Sequence, residues 1–251
     1  MTKPLDPAIQ ADVAARVADL RARIASAAER AGRDAAEITL VGAAKRQPIE
    51  RVAAAVVAGV HQLGHNYVQE ARAMRAELDA RLAELAWEGA APSVAWRMIG
   101  HLQSNKARDA VECFDFVDAV DSAKLARALD RRAATAGRPL ALGVQVNLSG
   151  EAQKSGLDEA DVPALLEACA ELEHVDVVGL MTMPAAADDP EAARPVFARL
   201  RELRDRLRDA PGGHALADLS MGMSGDFEIA IEEGATLVRL GTALFGERSP
   251  R

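Results

Sequence analysis

The chain has 251 residues, 49% of them hydrophobic and 27% charged, with a formal net charge of -8. That length and balance suit one sizeable domain with a full core, and the acidic excess leaves no overall basic field for nucleic acid or an anionic membrane surface. Cys113 and Cys169 stand far apart without a C-x-x-C pair, so neither a zinc knuckle nor a disulfide framework is indicated and both read as small core residues.

The N-terminus, Met1 to Pro7, runs into a charged helix without an apolar signal region, which makes the cytoplasm the expected location. From about Asp6 to Arg33, Val13, Val17, Leu20, Ile24 and Ala27 recur at helical spacing with charges between them, a leading amphipathic helix. Ile38 to Ala44 is an apolar, β-prone run without a helical period, which reads as a buried parallel strand delivering Lys45 at its far end. A helix from Pro48 to about Ala58 follows, stopped by Gly59, and then a short strand, His61 to Gly64, puts His65 and Asn66 at a strand end.

The alternation then repeats. A helix from Val68 to about Leu85 precedes a strand Ala95 to Ile99, a helix 107–113 precedes a strand Phe116 to Val120, and a helix capped by Asp121 or Ser122 runs to Gly137. The strand Leu140 to Asn147 exits into a long polar loop, Leu148 to Leu157, expected to be mobile. Helix resumes at Asp161, a strand runs from Val175 to Met181, and the Arg-rich helix Glu191 to Arg208 reads as exposed on a solvated face. The strand Leu216 to Met221, the helix Phe227 to Glu233 and the strand Thr236 to Leu240 complete the pattern. Eight strands, each followed by helix, give a (β/α)8 barrel with an extra N-terminal helix. An open doubly wound sheet is the alternative, but no G-x-G-x-x-G follows the first strand. No repeat or domain linker is visible, so residues 1–251 read as a single barrel domain, with residues 1–36 as a helical segment packing on it.

In a barrel the polar residues after each strand converge on one mouth, here Lys45, Asn66, Asn147, Thr182, Ser220, Ser224, Arg239 and Thr242. A half-desolvated lysine loses part of its preference for the charged form, and the free amine is a nucleophile suited to an aldehyde. A lysine that merely ends a strand with its ammonium in water is the plain alternative. Barrel phosphate sites use the loops after strands seven and eight, here Met221-Gly222-Met223-Ser224-Gly225 and Gly241-Thr242-Ala243; glycines admit close approach of oxygens to backbone N–H groups, and Ser224 and Thr242 add hydroxyls. Taken alone, glycine plus Ser or Thr is more often a turn or a helix cap. Arg239 ends the last strand; a guanidinium beside an aromatic nitrogen donates a hydrogen bond without yielding its proton, which would weaken the ring as an electron sink. An ion pair at the barrel rim accounts for Arg239 equally well. Lysine, phosphate cradle and arginine together point to pyridoxal 5'-phosphate (PLP).

Several ordered segments carry a resemblance: Ala44-Lys45-Arg46-Gln47-Pro48, Gly64-His65-Asn66-Tyr67-Val68-Gln69-Glu70, Ile99-Gly100-His101-Leu102-Gln103-Ser104-Asn105-Lys106, Gln153-Lys154-Ser155-Gly156, Gly179-Leu180-Met181-Thr182-Met183-Pro184, Ser220-Met221-Gly222-Met223-Ser224 and Val238-Arg239-Leu240-Gly241-Thr242-Ala243-Leu244-Phe245-Gly246. At these residues the chain resembles the pyridoxal-phosphate homeostasis protein family, similar in fold to the N-terminal barrel of alanine racemase, the fold type III of PLP proteins without its C-terminal β-domain. The resemblance implies that Lys45 carries the internal aldimine, Arg239 faces the pyridine nitrogen, and Ser224, Gly241 and Thr242 bind phosphate. It implies that Asn66 and Met223 line the ring, and it makes Lys154 of the loop a secondary acceptor or a helper in transfer. Asn147 joins the cofactor-binding set as a strand-end residue at the mouth.

His65 stands where the family usually has glutamate, Arg97 where it often has histidine, and Arg46-Gln47 where Thr-Lys or Thr-His is commoner; the first two suggest a less acidic mouth. The implied function is storage, delivery or balancing of PLP without established turnover, with PLP-dependent apoenzymes as recipients, no nucleic-acid or membrane partner, and a monomer or weak dimer. A PLP-dependent racemase or lyase is the enzyme alternative. Racemisation needs a second acid/base opposite the lysine, and the single tyrosine, Tyr67, suits packing or a helix start better. A metal-dependent hydrolase fits poorly, because His61 and His65 straddle a strand end and His101, His174 and His214 are scattered.

Overall fold

A computed structural model describes residues 3–85, 90–148, 155–185 and 187–247. In chain order the first half comprises α1 (Pro7–Arg30), β1 (Thr39–Ala43), α2 (Ile49–Val57), β2 (Gln62–His65), α3 (Val68–Ala83), β3 (Ala95–Met98), α4 (Ala107–Cys113) and β4 (Phe116–Val120). The second half comprises α5 (Ala123–Ala136), β5 (Leu140–Asn147), β6 (Leu157–Asp158), α6 (Val162–Ala170), β7 (Val175–Met181), α7 (Arg194–Leu207), β8 (Asp218–Ser220), α8 (Phe227–Glu232), β9 (Leu237–Leu240) and α9 (Thr242–Phe245). Every pairing is parallel; neighbours run β4-β3-β2-β1-β9-β8-β7-β5, and a β4–β5 pairing closes the ring. This is the eight-stranded barrel expected from the alternation.

Local chemistry sets the element ends. Asp6 caps α1, accepting from the backbone N–H groups of Ala8 (2.8 Å) and Ile9 (3.3 Å), and Pro7 occupies a first helical position that needs no donor. Val13, Val17, Leu20, Ile24 and Ala27 form the buried face of α1, which packs on α2, α8 and α9. Ser122 caps α5, its hydroxyl accepting from Leu125 N–H, and Gly137 ends that helix in the left-handed conformation at φ 64°. Apart from Thr39 and Arg239, strands β1 and β9 are apolar and most of their residues are buried, which explains why they read as continuous runs.

Three expectations change. Leu157, the last residue of the expected long loop, forms β6 with Asp158, beside Val146 and Asn147. The helix expected over 191–208 is split at Arg194 by a 3-10 turn, Pro190–Ala193. Its arginines do not simply face water: Arg194 bonds Glu191, Glu232 and Glu233, and Arg201 bonds Glu233, tying α7 to the end of α8. Thr242 and Ala243, read as part of the loop after the last strand, open the four-residue helix α9. Cys113 and Cys169 are buried thiols, as expected, and burial pushes Cys169 up to about 11. Among the described residues, no helix is long and apolar enough to cross a membrane.

The barrel interior is polar. On β3, Arg97 is buried and makes a two-point contact with Asp118 of β4 (2.8 and 2.9 Å), donates to Gln62 of β2 (2.9 Å), and lies 3.9 Å over the Phe116 ring. Arg97 therefore does not reach the mouth, where the sequence had placed its influence.

Candidate functional site

Lys45 stands two residues beyond β1, half-buried, on the strand face that also carries Val41 and Ala43. The turn behind it is held from both sides. Ala44 N–H donates to Gly64 O (3.0 Å), Gln47 N–H to Ala44 O (3.1 Å), and Arg46 N–H to the Glu70 carboxylate of α3 (2.6 Å). Arg46 is the one non-glycine residue at positive φ (57°) among the described residues. A side chain in that conformation costs on the order of 1 kcal/mol, and the Glu70 contact holds it there. The chain thereby reverses after Lys45 and leaves the lysine at the rim.

Beside β1 lies β9, with Val41 opposite Arg239. Arg239 is buried; one Nη donates to Ser220 Oγ (2.6 Å) at the end of β8, the other to the Thr182 carbonyl (3.0 Å) just past β7. Burial lowers it to about 10, opposed by Asp118 and Asp226, so the guanidinium stays protonated at neutral pH. The turn after β8 docks on the same strand. Gly222, at φ 93°, accepts from Arg239 N–H (3.0 Å), and a Cβ there would lie 2.7 Å from Ala230 Cβ, so only glycine fits. Met223 N–H donates to Asp226 Oδ1 (2.6 Å), and Ser224 Oγ accepts from Ala243 N–H (3.2 Å), joining the β8 and β9 turns.

Those joined turns are open to a ligand. A Cβ built on Gly225 would meet nothing within 4 Å, and one on Gly241 would meet only Ala43, at 3.6 Å or more. Ser224 and Gly241 are half-buried, and Met223 and Thr242 are exposed. Backbone and hydroxyl groups around open space, with a buried cation beneath and an amine one strand away, fit the phosphate, ring and aldehyde of PLP. Asn66 follows β2 next to the Lys45 turn, and Gly100 backs it so closely that a Cβ there would lie 2.7 Å from Asn66 Cα. Asn147 ends β5, half-buried, beside β6. Lys154 lies outside the described residues.

The structure thus brings Lys45, Asn66, Arg239, Met223, Ser224, Gly241 and Thr242 to the ends of four consecutive strands, β2-β1-β9-β8, with Asn147 further round the ring. Sequence reasoning missed Glu70, which pins Arg46, and Asp226, which folds the β8 turn; an acidic residue beside a glycine-rich turn was the available signal. A cavity of about 470 Å3 at the opposite end, lined by Arg21, Ile38 and Gln62 among others, touches none of these residues. No cluster of potential metal ligands occurs among the described residues.

His65 also departs from expectation. It is fully buried, stacked on Trp96 (centroids 5.6 Å apart), and neither ring nitrogen has a hydrogen-bond partner among the described residues, so it does not set the acidity of the mouth. Burial lowers its pKa to about 4, with Glu70 weakly opposing. The unfolded chain, with an ordinary histidine, binds the extra proton first as pH falls, so stability is full above about pH 6.5 and is lost toward pH 4. Denaturant titrations at pH 7 and 4.5 are expected to show a His65 contribution to this loss of roughly 2–3 kcal/mol. His65→Phe, which keeps the stacking and has no group to protonate, should remove that contribution; an unchanged pH dependence in this variant would contradict the assignment.

Residues 16–249 match the family model of the alanine racemase N-terminal domain. A pyridoxal phosphate homeostasis protein of Pseudomonas aeruginosa is 44% identical over 236 residues, 94% of this chain and 96% of that one. A crystal structure of a protein of unknown function from Bifidobacterium adolescentis superposes with a TM-score of 0.87 at 37% identity, covering 97% of this chain and 98% of that one. PipY of Synechococcus elongatus, solved with PLP bound, superposes with a TM-score of 0.79 at 36% identity, covering 93% of this chain and all of that one. With a lysine, a buried arginine and paired glycine turns at the strand ends of an eight-stranded barrel, and with this similarity over nearly its whole length, the chain belongs to the pyridoxal phosphate homeostasis protein family.

Proposed function

We propose that this protein binds PLP at the barrel mouth through Lys45 and holds it for PLP homeostasis, as a cytoplasmic store or donor. The observation that carries this reading is the convergence of Lys45, Arg239 and the two joined glycine turns at the ends of adjacent strands β1, β9 and β8. PLP, when bound, supplies an aldehyde carbon with which a lysine amine can condense. Lys45 contributes that amine; Ser224, Gly241 and Thr242 hold the phosphate; Asn66 and Met223 flank the ring, with Asn147 on the far rim. Arg239, fixed by Ser220 and the Thr182 carbonyl, keeps its proton and presents a donor to the ring nitrogen. Lys154 serves the exit of the cofactor, and the whole chain works as one binding domain, as a monomer or weak dimer.

The carrier reading is favoured over turnover by Arg239, which disfavours a protonated ring nitrogen, and by Tyr67, which stands 61% exposed at the start of α3, outside the joined turns. Recipients are PLP-dependent apoenzymes. The test is titration of purified protein with PLP, followed by incubation of the loaded protein with L-alanine or L-serine and, separately, with a PLP-free aminotransferase. The expected result is saturable binding at one PLP per chain, activation of the apoenzyme, and no D-amino acid. Steady formation of D-alanine or D-serine, or loss of either substrate, would replace the carrier reading with the enzymatic one.

A further inference from the structure

The segment Ile99 to Lys106 belongs to the motifs that mark this chain, yet the site above uses only Gly100, as backing for Asn66. Its residues form one wall of a groove of about 400 Å3 beside the barrel mouth; the other wall is Asn66 and the start of α3. That volume suits a small molecule better than a protein surface. Six polar side chains line the groove: Asn66, Tyr67, Gln69, His101, Gln103 and Lys106.

Their partners are informative. His101 is held by Asp121 (Nδ1 to Oδ2, 3.2 Å), which fixes the ring and leaves Nε2 as its second polar atom. Lys106 is half-buried, and its ammonium makes no ion pair or hydrogen bond with any other described residue. No carboxylate lines the groove. In a chain whose formal charge is -8 and whose arginines are mostly paired, a half-buried lysine without an ion pair in the wall of a donor-lined groove that no carboxylate lines is unusual.

We propose that this groove binds the carboxylate of a small organic acid, with Lys106 as its charge partner and the donors of Tyr67, Gln69 and Gln103 as hydrogen-bonding walls. A carboxylate fits better than a phosphate dianion, since one lysine and side-chain donors match a single negative charge. The backbone cradle that phosphate favours is found in the β8 and β9 turns, and in the groove Gly100 is filled by Asn66. Asn66 belongs to both the groove and the strand end beside Lys45, so a bound acid sits against the rim of the cofactor site.

Calorimetric titration of the full-length protein with lactate, a monocarboxylate, tests this, in the absence and presence of saturating PLP. Saturable binding is expected in both states, weakened at least about tenfold in Lys106→Met and restored in Lys106→Arg, with circular dichroism confirming that each variant is folded. Inorganic phosphate should not displace the lactate. Absence of binding, wild-type affinity in Lys106→Met, or displacement by PLP would overturn the proposal, the last by placing the anion in the cofactor cradle. Displacement by phosphate together with sensitivity to Lys106→Met would overturn the choice of a carboxylate. PLP binding is read independently in the same samples, so failure of this proposal and failure of the cofactor assignment are distinguishable.

Discussion

Asp118→Ala is expected to destabilise the protein by about 3–5 kcal/mol, a fall in melting temperature of roughly 10 °C for a chain of this size. The Arg97 guanidinium and the Asp118 carboxylate are both almost wholly buried inside the barrel, in a two-point contact at 2.8 and 2.9 Å. Removing the carboxylate leaves a buried cation with the Gln62 side-chain oxygen and the Phe116 ring in contact, and Asp218 as its remaining nearby carboxylate. The penalty comes from the stranded charge more than from the lost attraction. The double change Arg97→Met with Asp118→Leu, which fills the space without charge, should therefore recover most of the stability, to within about 2 kcal/mol of the parent. A loss below about 1 kcal/mol on Asp118→Ala in urea titrations would show that the pair does not have this role.

Lys45→Ala should abolish the covalent attachment of PLP and lower its apparent affinity by on the order of 100-fold, equivalent to about 3 kcal/mol. The residual binding reflects the rest of the mouth, because Ser224, Gly241 and Arg239 are positioned by bonds that do not involve Lys45. Inorganic phosphate should compete for this residual binding. Equilibrium dialysis with the variant and the parent measures the difference directly. Parent-like affinity in Lys45→Ala would mean that the amine contributes nothing.

Most of the barrel is legible in the sequence because buried parallel strands are short apolar runs, and Gly59, Gly137 and the aspartates at helix starts mark the elements between them. Lys45 and the two glycine turns were legible for the same reason, each a break after such a run, and Arg239 was legible as the one charged residue inside the last of them. Side-chain direction was less legible. His65 and Arg97 lie near strand ends and were read as shaping the mouth, but alternation along a strand turns one toward the helix layer, against Trp96, and the other into the barrel, against Asp118. The left-handed Arg46 left no trace, since nothing in Arg-Gln-Pro announces a positive φ; it follows from the Glu70 contact, supplied from a different helix. Short elements such as β6 and α9 are set by neighbours already in place, so their own few residues carry little signal.

The most direct test of the central claim is borohydride reduction of the PLP-loaded protein followed by peptide mapping. A single stoichiometric phosphopyridoxyl label is expected on the peptide containing Lys45, absent in Lys45→Ala. A label of equal strength on another lysine, with Lys154 the first to examine, or no label at all from protein that binds PLP, would contradict it.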